Sequence, residues 1–116
     1  VGKEWTIPFT VAKAKELIFT GDVIDANEAS RLGLVNSVTE PEELMERALE
    51  LAQKIAEKGQ LAVRYSKQAI NRSFEVDIET GMEIERNLFS LCFATYDQKE
   101  GMEAFLNKRK PEFKVK

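Results

Sequence analysis

Apolar residues recur at helical spacing along most of this chain, and that periodicity constrains its fold more than any other feature. Between residues 42 and 58 the apolar positions follow an i, i+4, i+7 pattern: Leu44, Ala48, Leu51, Ala52 and Ile55. Comparable stripes occur over 11–19, 60–75 and 78–94. Because this spacing places apolar side chains on one face of a helix, the sequence predicts a helix over each range.

Local signals also delimit a short helix after residue 25. Asp25 is followed three residues later by Glu28, which is the spacing of a capping box. Gly33 stands where a helix needs a residue in the left-handed conformation to end. The β-branched run over residues 34–38 then predicts a short strand or an extended link.

A second pair of acids predicts the start of the last helix. Asp97 and Glu100 have the same three-residue spacing, so they are interpreted as another capping box. The sequence therefore predicts a mainly α fold. It is a small helical domain of four to six helices over residues 11–116, with at most one or two short extended segments.

Residues 1–10 depart from this pattern. Trp5, Ile7 and Phe9 alternate with other residues, and Pro8 cannot donate to a sheet ladder. This segment is predicted to be extended, as an edge strand or an arm outside the helical domain.

Composition excludes several classes of chemistry. The 116 residues include no histidine, which removes Ser-His-Asp and Cys-His nucleophile systems and the commonest zinc ligand. The one cysteine, Cys92, cannot form an intrachain disulfide, which favours a cytoplasmic or organelle-matrix protein. A net charge of −3 gives no general attraction for nucleic acid or membranes. No metal site and no required cofactor are predicted.

Positive charge is concentrated at the end of the sequence, in KRKPEFKVK, residues 108–116. Such cations near a helix C-terminus can simply complement the helix dipole. They can also contact an anion, most plausibly a phosphate, through charge-assisted hydrogen bonds. The residues alone leave both interpretations open. The acids are explained as caps or solvated helix positions, and no catalytic residue is assigned.

Three stretches together resemble the enoyl-CoA hydratase/isomerase, or crotonase, family. They are AKELIFTGDVIDANEASRLGLVNSV (14–38), LAQKIAEKGQLAVRYSKQAINRSFE (51–75) and GMEIERNLFSLCFATYDQKEGMEAFLNKRKPEFK (81–114). The resemblance implies the C-terminal helical region of that fold, which packs at subunit interfaces and closes over the acyl-CoA site. The family's oxyanion-hole amides and catalytic glutamates lie upstream of the matching segment. The chain alone is therefore expected to be inactive.

The resemblance carries over two binding residues. Lys108 matches a lysine that approaches the phosphate of the CoA nucleotide, often from a neighbouring subunit. Phe89 matches an aromatic residue near the CoA or acyl portion of the site. The CoA thioester is then the substrate of the intact enzyme, which is expected to be a homo-oligomer.

Three hypotheses of different kinds remain open. The chain is a segment of a crotonase-family enzyme that hydrates or isomerises enoyl-CoA when joined to its core. Alternatively, it is a non-catalytic module that oligomerises or docks onto relatives. A weaker third hypothesis is a small protein that binds CoA or another anion.

Overall fold

A computed structural model describes residues 11–116, and this part of the chain is mainly α-helical. Its elements are α1 (Val11–Thr20), α2 (Ala26–Arg31), a short 3-10 helix (Pro41–Glu43), α3 (Leu44–Ala56), α4 (Gln60–Arg72), α5 (Ile78–Phe93) and α6 (Tyr96–Leu106). No strand occurs over this range, so residues 34–38 form a link. The predicted helical fold is confirmed. The predicted arm over residues 1–10 lies outside the described residues.

The chain divides into two compact units, one extending to Arg47 and one running from Ala48 to Lys116. In the second unit α4 packs along α5, and α5 also contacts α6. A single helical domain over residues 11–116 remains a prediction.

The ends of α2 are built as the sequence predicts. The Asp25 side chain accepts a hydrogen bond from the Glu28 N–H at 2.8 Å, which satisfies an otherwise unpaired donor of the first turn. At the other end, the Leu34 N–H donates to the Ala29 carbonyl at 2.9 Å. Gly33 adopts φ +75°, the left-handed conformation that this C-terminal motif requires. The predicted N-cap and stop are therefore both confirmed, whereas the Glu28 carboxylate accepts from the Arg31 side chain at 2.6 and 2.7 Å rather than completing the capping box.

The start of α6 corrects a prediction. Thr95, not Asp97, is the N-cap: its Oγ1 accepts from the Gln98 N–H at 3.1 Å, and the helix begins at Tyr96. Asp97 and Glu100 consequently lie inside the helix. Both are buried, with only 4% and 7% of their surface exposed. Their carboxylates therefore need internal partners, because burial of an unpaired charge is strongly unfavourable.

Apolar helix faces remain exposed in the chain taken by itself. The buried apolar side chains of the described part are Leu32, Leu88 and Ala104. Many larger ones stay accessible, including Phe19, Leu44, Met45, Phe74, Ile78, Phe89 and Phe105. This exposure is greater than the scattered apolar residues of an ordinary surface, and large exposed apolar patches are typical of interaction sites.

Candidate functional site

An apolar groove lies between α4 and α5 in the second unit. Its volume is about 730 Å³. Tyr65, Ala69 and Ile70 line it from α4, and Leu88, Phe89 and Cys92 line it from α5. The helical stripes of the two elements therefore converge on one concave surface, and a predominantly apolar concavity of this size suits a ligand or a partner side chain.

Phe89 presents an accessible aromatic ring at this groove. Its side chain is 64% exposed. The ring packs edge-on against Phe93, with 5.1 Å between centroids and an interplanar angle of 79°. This T-shaped contact is favourable for two aromatic rings and orients Phe89. The remaining ring surface is open to a planar or apolar group.

Lys108 lies at the turn that ends α6. Its backbone N–H donates to the Phe105 carbonyl at 3.2 Å, and the Arg109 N–H donates to the Ala104 carbonyl at 3.0 Å. These two bonds are the pair that defines a Schellman motif, with Lys108 at the left-handed position. Its φ is +52° although it is not a glycine. The lysine side chain is exposed.

Arg109, the next residue, is engaged within the chain. Its Nη1 and Nη2 donate to Oε1 and Oε2 of Glu100 at 2.6 and 3.0 Å, forming a two-pronged ion pair. The Glu112 N–H also donates to the Glu100 carboxylate at 2.8 Å. The Arg109 hydrogen bonds, followed by that of Glu112, outweigh desolvation and lower the pKa of Glu100 to about 2. Glu100 is thus a structural anion.

Asp97 holds the last residues in a similar way. Its Oδ1 accepts from the Lys114 N–H at 2.6 Å and its Oδ2 from the Val115 N–H at 2.9 Å. The Asp97 N–H donates in turn to the Lys116 carbonyl at 3.1 Å. Two successive amides around one carboxylate form an anion-binding concavity that the protein's own side chain fills. We call Asp97, Glu100 and Arg109 the tail clamp, and residues 109–116 the tail.

Ring contacts complete the attachment of the tail. The Phe113 ring lies over Gly59 and Gly101, where a methyl group added to either glycine would meet the ring at 3.9 and 3.5 Å respectively. The Lys114 ammonium lies 4.8 Å from the centre of the Tyr96 ring, a cation–π geometry. Of the basic cluster identified in the sequence, Arg109 and Lys114 therefore have partners on the protein itself.

The two predicted site residues occupy different elements. Phe89 belongs to α5 and Lys108 follows α6; within residues 11–116 no hydrogen bond, ion pair or ring contact joins them. The same residues contain no cluster of three or more cysteine, aspartate or glutamate side chains placed to hold a metal ion. None of their helices has the length and apolar character of a membrane-spanning segment.

The fold itself matches proteins of the crotonase class. Our chain superimposes on the crystal structure of an enoyl-CoA hydratase from Bacillus anthracis with a TM-score of 0.87 and 42% sequence identity. The match covers 93% of this chain and 42% of that one. Similarity of this extent places these helices in the helical part of that fold.

Sequence comparison gives the same result. The enoyl-CoA hydratase/isomerase family model matches residues 4–116, so the chain belongs to this family. It is 57% identical over 100 residues to the crotonyl-CoA hydratase of Syntrophomonas wolfei, covering 86% of this chain and 38% of that relative. It is 60% identical over 95 residues to a short-chain-enoyl-CoA hydratase of Clostridioides difficile, covering 82% and 61%. The chain therefore spans less than two thirds of either relative.

Proposed function

We propose that this chain is the C-terminal part of an enoyl-CoA hydratase and that it contributes a CoA phosphate contact and a subunit-association surface. The observation that carries the proposal is the exposed Lys108 at the turn that ends α6, directly before the tail anchored on that helix. The chain's similarity to named crotonyl-CoA and short-chain-enoyl-CoA hydratases supports a CoA thioester as substrate of the joined enzyme. No further cofactor is required in this proposal.

Lys108 is a better candidate for the phosphate contact than Arg109 or Lys114. Arg109 is paired with Glu100, and Lys114 lies over an aromatic ring. An exposed ammonium is a mobile point charge that can meet a phosphate oxygen without first breaking an internal pair. Phe89 complements it with an accessible ring for the CoA or acyl portion.

The exposed apolar faces support association. Phe74, in the turn after α4, is 85% exposed, and Ile78, the first residue of α5, is 79% exposed. Burial of such side chains stabilises an interface by about 25 cal/mol for each Å² of apolar surface removed from water. We expect the chain to form a homo-oligomer or to associate with a hydratase core. The single cysteine, which cannot form an intrachain disulfide, fits a cytoplasmic location.

Hydration of crotonyl-CoA tests the enzymatic part of the proposal. Loss of the conjugated thioester absorbance is followed with the 116-residue chain alone and with the chain fused behind the upstream portion of the Syntrophomonas wolfei relative. We expect turnover only in the fusion, because the resemblance places the oxyanion hole and the catalytic glutamates upstream. Turnover by the chain alone, or a folded but inactive fusion, would contradict the proposal.

A CoA titration tests the phosphate contact. Lys108→Ala is expected to weaken CoA binding about tenfold, as loss of one charge-assisted hydrogen bond does. Lys110→Ala is the matched control, since it removes the same charge from an exposed position two residues away. If the two variants weaken CoA binding equally, Lys108 contributes only to a general attraction by the cations of residues 108–116. If Lys108→Ala leaves CoA affinity unchanged, the phosphate contact is excluded.

The second candidate function is a non-catalytic module for oligomerisation or docking. The extent of the exposed apolar surface favours it, because that surface requires a partner whether or not catalysis follows. Light scattering of the purified chain distinguishes the outcomes: a stable oligomer that binds no CoA supports the docking module, whereas a compact monomer excludes association.

A further inference from the structure

Two helices of this chain end in the same hydrogen-bond pattern but with different residues at the left-handed position. In α2 that residue is Gly33, with φ +75°. In α6 it is Lys108, with φ +52°. A side chain makes this conformation unfavourable for every residue type except glycine, and asparagine or aspartate tolerate it best among the others. The α6 turn therefore keeps a lysine where its backbone favours glycine, and an observed strain of this kind raises the question of a role for the side chain.

The surrounding contacts leave the Lys108 backbone little freedom. On one side, its own N–H and that of Arg109 are bonded to the last turn of α6. On the other, the Arg109 guanidinium is fixed on the buried Glu100 by two hydrogen bonds. Glu100 also receives the Glu112 N–H, so one carboxylate fixes both the residue next to Lys108 and the chain three residues further. The Cα–Cβ direction of Lys108 is set by these bonds.

We propose that Glu100 and Arg109 are positioning residues for Lys108: their ion pair fixes the left-handed turn from which the Lys108 ammonium reaches a CoA phosphate. This inference rests on the phosphate contact proposed above. A stem that starts from one fixed direction loses less conformational freedom on binding than one on a mobile tail. The ion pair thus acts on affinity through Lys108, without touching the ligand.

The direction in which Glu100→Gln changes CoA affinity tests the inference. The substitution removes a negative charge and releases the Arg109 cation, so simple electrostatics makes the tail bind an anion more tightly. Positioning predicts the opposite result. We expect CoA affinity of the 116-residue chain to fall about three- to tenfold, the range expected when a long side chain must be ordered on binding. An increased or unchanged affinity would overturn the inference.

Arg109→Lys provides a second variant that keeps the net charge. A lysine cannot form the two-pronged pair with Glu100, so positioning predicts a weakening similar to that of Glu100→Gln. Glu103→Gln is the matched control, because it neutralises an exposed acid of the same helix. Circular dichroism verifies that the helix content is retained in each variant. An unchanged CoA affinity in Arg109→Lys would count against the positioning role of the two-pronged ion pair.

A double-mutant cycle shows whether the ion pair acts through Lys108. With Lys108→Ala in place, Glu100→Gln is expected to cause no further loss of CoA affinity. A further loss of the full size would show that Glu100 acts elsewhere and would overturn the inference. If Lys108→Ala alone leaves affinity unchanged, the proposed phosphate contact fails, and the positioning role fails with it. If only the Glu100 and Arg109 variants are without effect, the phosphate contact stands and the positioning role alone is excluded.

Lys108→Gly separates the backbone from the side chain. It removes the ammonium as Lys108→Ala does but relieves the left-handed strain. We expect the two variants to lose CoA affinity equally, while the amides of residues 108 and 109 exchange more slowly with solvent in the glycine variant than in the alanine variant. Faster exchange in the glycine variant would show that no strain is held at this position.

Discussion

Asp97→Asn should release the end of the tail while leaving α6 in place. The wild-type carboxylate accepts from the Lys114 N–H at 2.6 Å and from the Val115 N–H at 2.9 Å, and Asp97 is 4% exposed. The asparagine amide has one acceptor oxygen, and its NH₂ group would face one of the two backbone N–H donors. One hydrogen bond is therefore lost, one backbone N–H loses its partner, and the remaining bond becomes neutral.

The magnitude follows from those two bonds. Each hydrogen bond to a charged group contributes about 1.5–3 kcal/mol, and a neutral one about 0.5–1.5 kcal/mol. Exchanging two charged bonds for one neutral bond should therefore weaken tail attachment by about 2–4 kcal/mol. We expect a value near the lower limit of this range, because flexible residues relax around the lost bond. This corresponds to a decrease of about 30- to 700-fold in amide protection at Lys114 and Val115, limited by the free energy of tail opening in the wild type.

Hydrogen exchange read by NMR measures this effect residue by residue. Amides in the middle of α6 should keep their protection, because the helix retains its Thr95 cap and its own hydrogen bonds. Glu103→Gln, which neutralises an exposed acid of the same helix, should leave the Lys114 and Val115 amides unchanged within about twofold, as surface substitutions usually do. If Asp97→Asn also changed them by no more than that, the carboxylate would not hold the tail, and the reasoning would be refuted.

Three further predictions concern stability. Because the pKa of Glu100 is lowered to about 2 from 4.5, its ionised form stabilises the fold fully above pH 4.5, and that contribution is lost as the pH falls towards 2; thermal unfolding from about pH 2 to 6 should be less pH-dependent in Glu100→Gln. Gly101→Ala should stabilise α6 by about 0.5–1 kcal/mol in urea unfolding, since the added methyl group meets the Phe113 ring at an ordinary 3.5 Å; destabilisation would show that the ring cannot accept it. Leu32→Ala should cost about 3 kcal/mol, because Leu32 is 2% exposed; a cost below about 1 kcal/mol would contradict its assignment to a packed core.

The caps show which parts of the fold the sequence could predict. Asp25 caps α2 through a contact with a residue three positions away, so the spacing contains all the information required. Asp97 and Glu100 have the same spacing, yet their partners lie 9 to 18 residues away in the tail. Thr95, two residues before Asp97, takes the capping position instead. Local patterns therefore predicted the helices and failed where long-range partners determine the role of a carboxylate.

In the candidate site, too, the sequence predicted what depends on local patterns and missed what depends on long-range contacts. Helical periodicity places Phe89 on an apolar stripe, but only the packing of α4 on α5 makes that stripe one wall of a groove. The basic cluster of residues 108–116 is visible in the sequence as a set of equivalent cations. The structure makes them unequal, since Arg109 is paired and Lys108 is exposed. The difference between Arg109 and Lys108 comes from the buried Glu100 carboxylate of α6, with which Arg109 pairs. Burial of Glu100 depends on the path of the tail, and the spacing of residues in the sequence does not encode that path.

The left-handed lysine and the tail clamp are best understood together. A Schellman turn with glycine, as at Gly33, needs no external support, because glycine adopts the required conformation without a clash. The same turn with Lys108 is less stable by about 1–2 kcal/mol and would open unless other contacts fixed it. The hydrogen bonds of the Glu100 carboxylate to Arg109 and to the Glu112 N–H hold the residues that follow Lys108 and so offset that strain. The tail thus stabilises a turn that the helix end alone would not favour, and it fixes the backbone from which the exposed Lys108 side chain extends to the proposed phosphate contact.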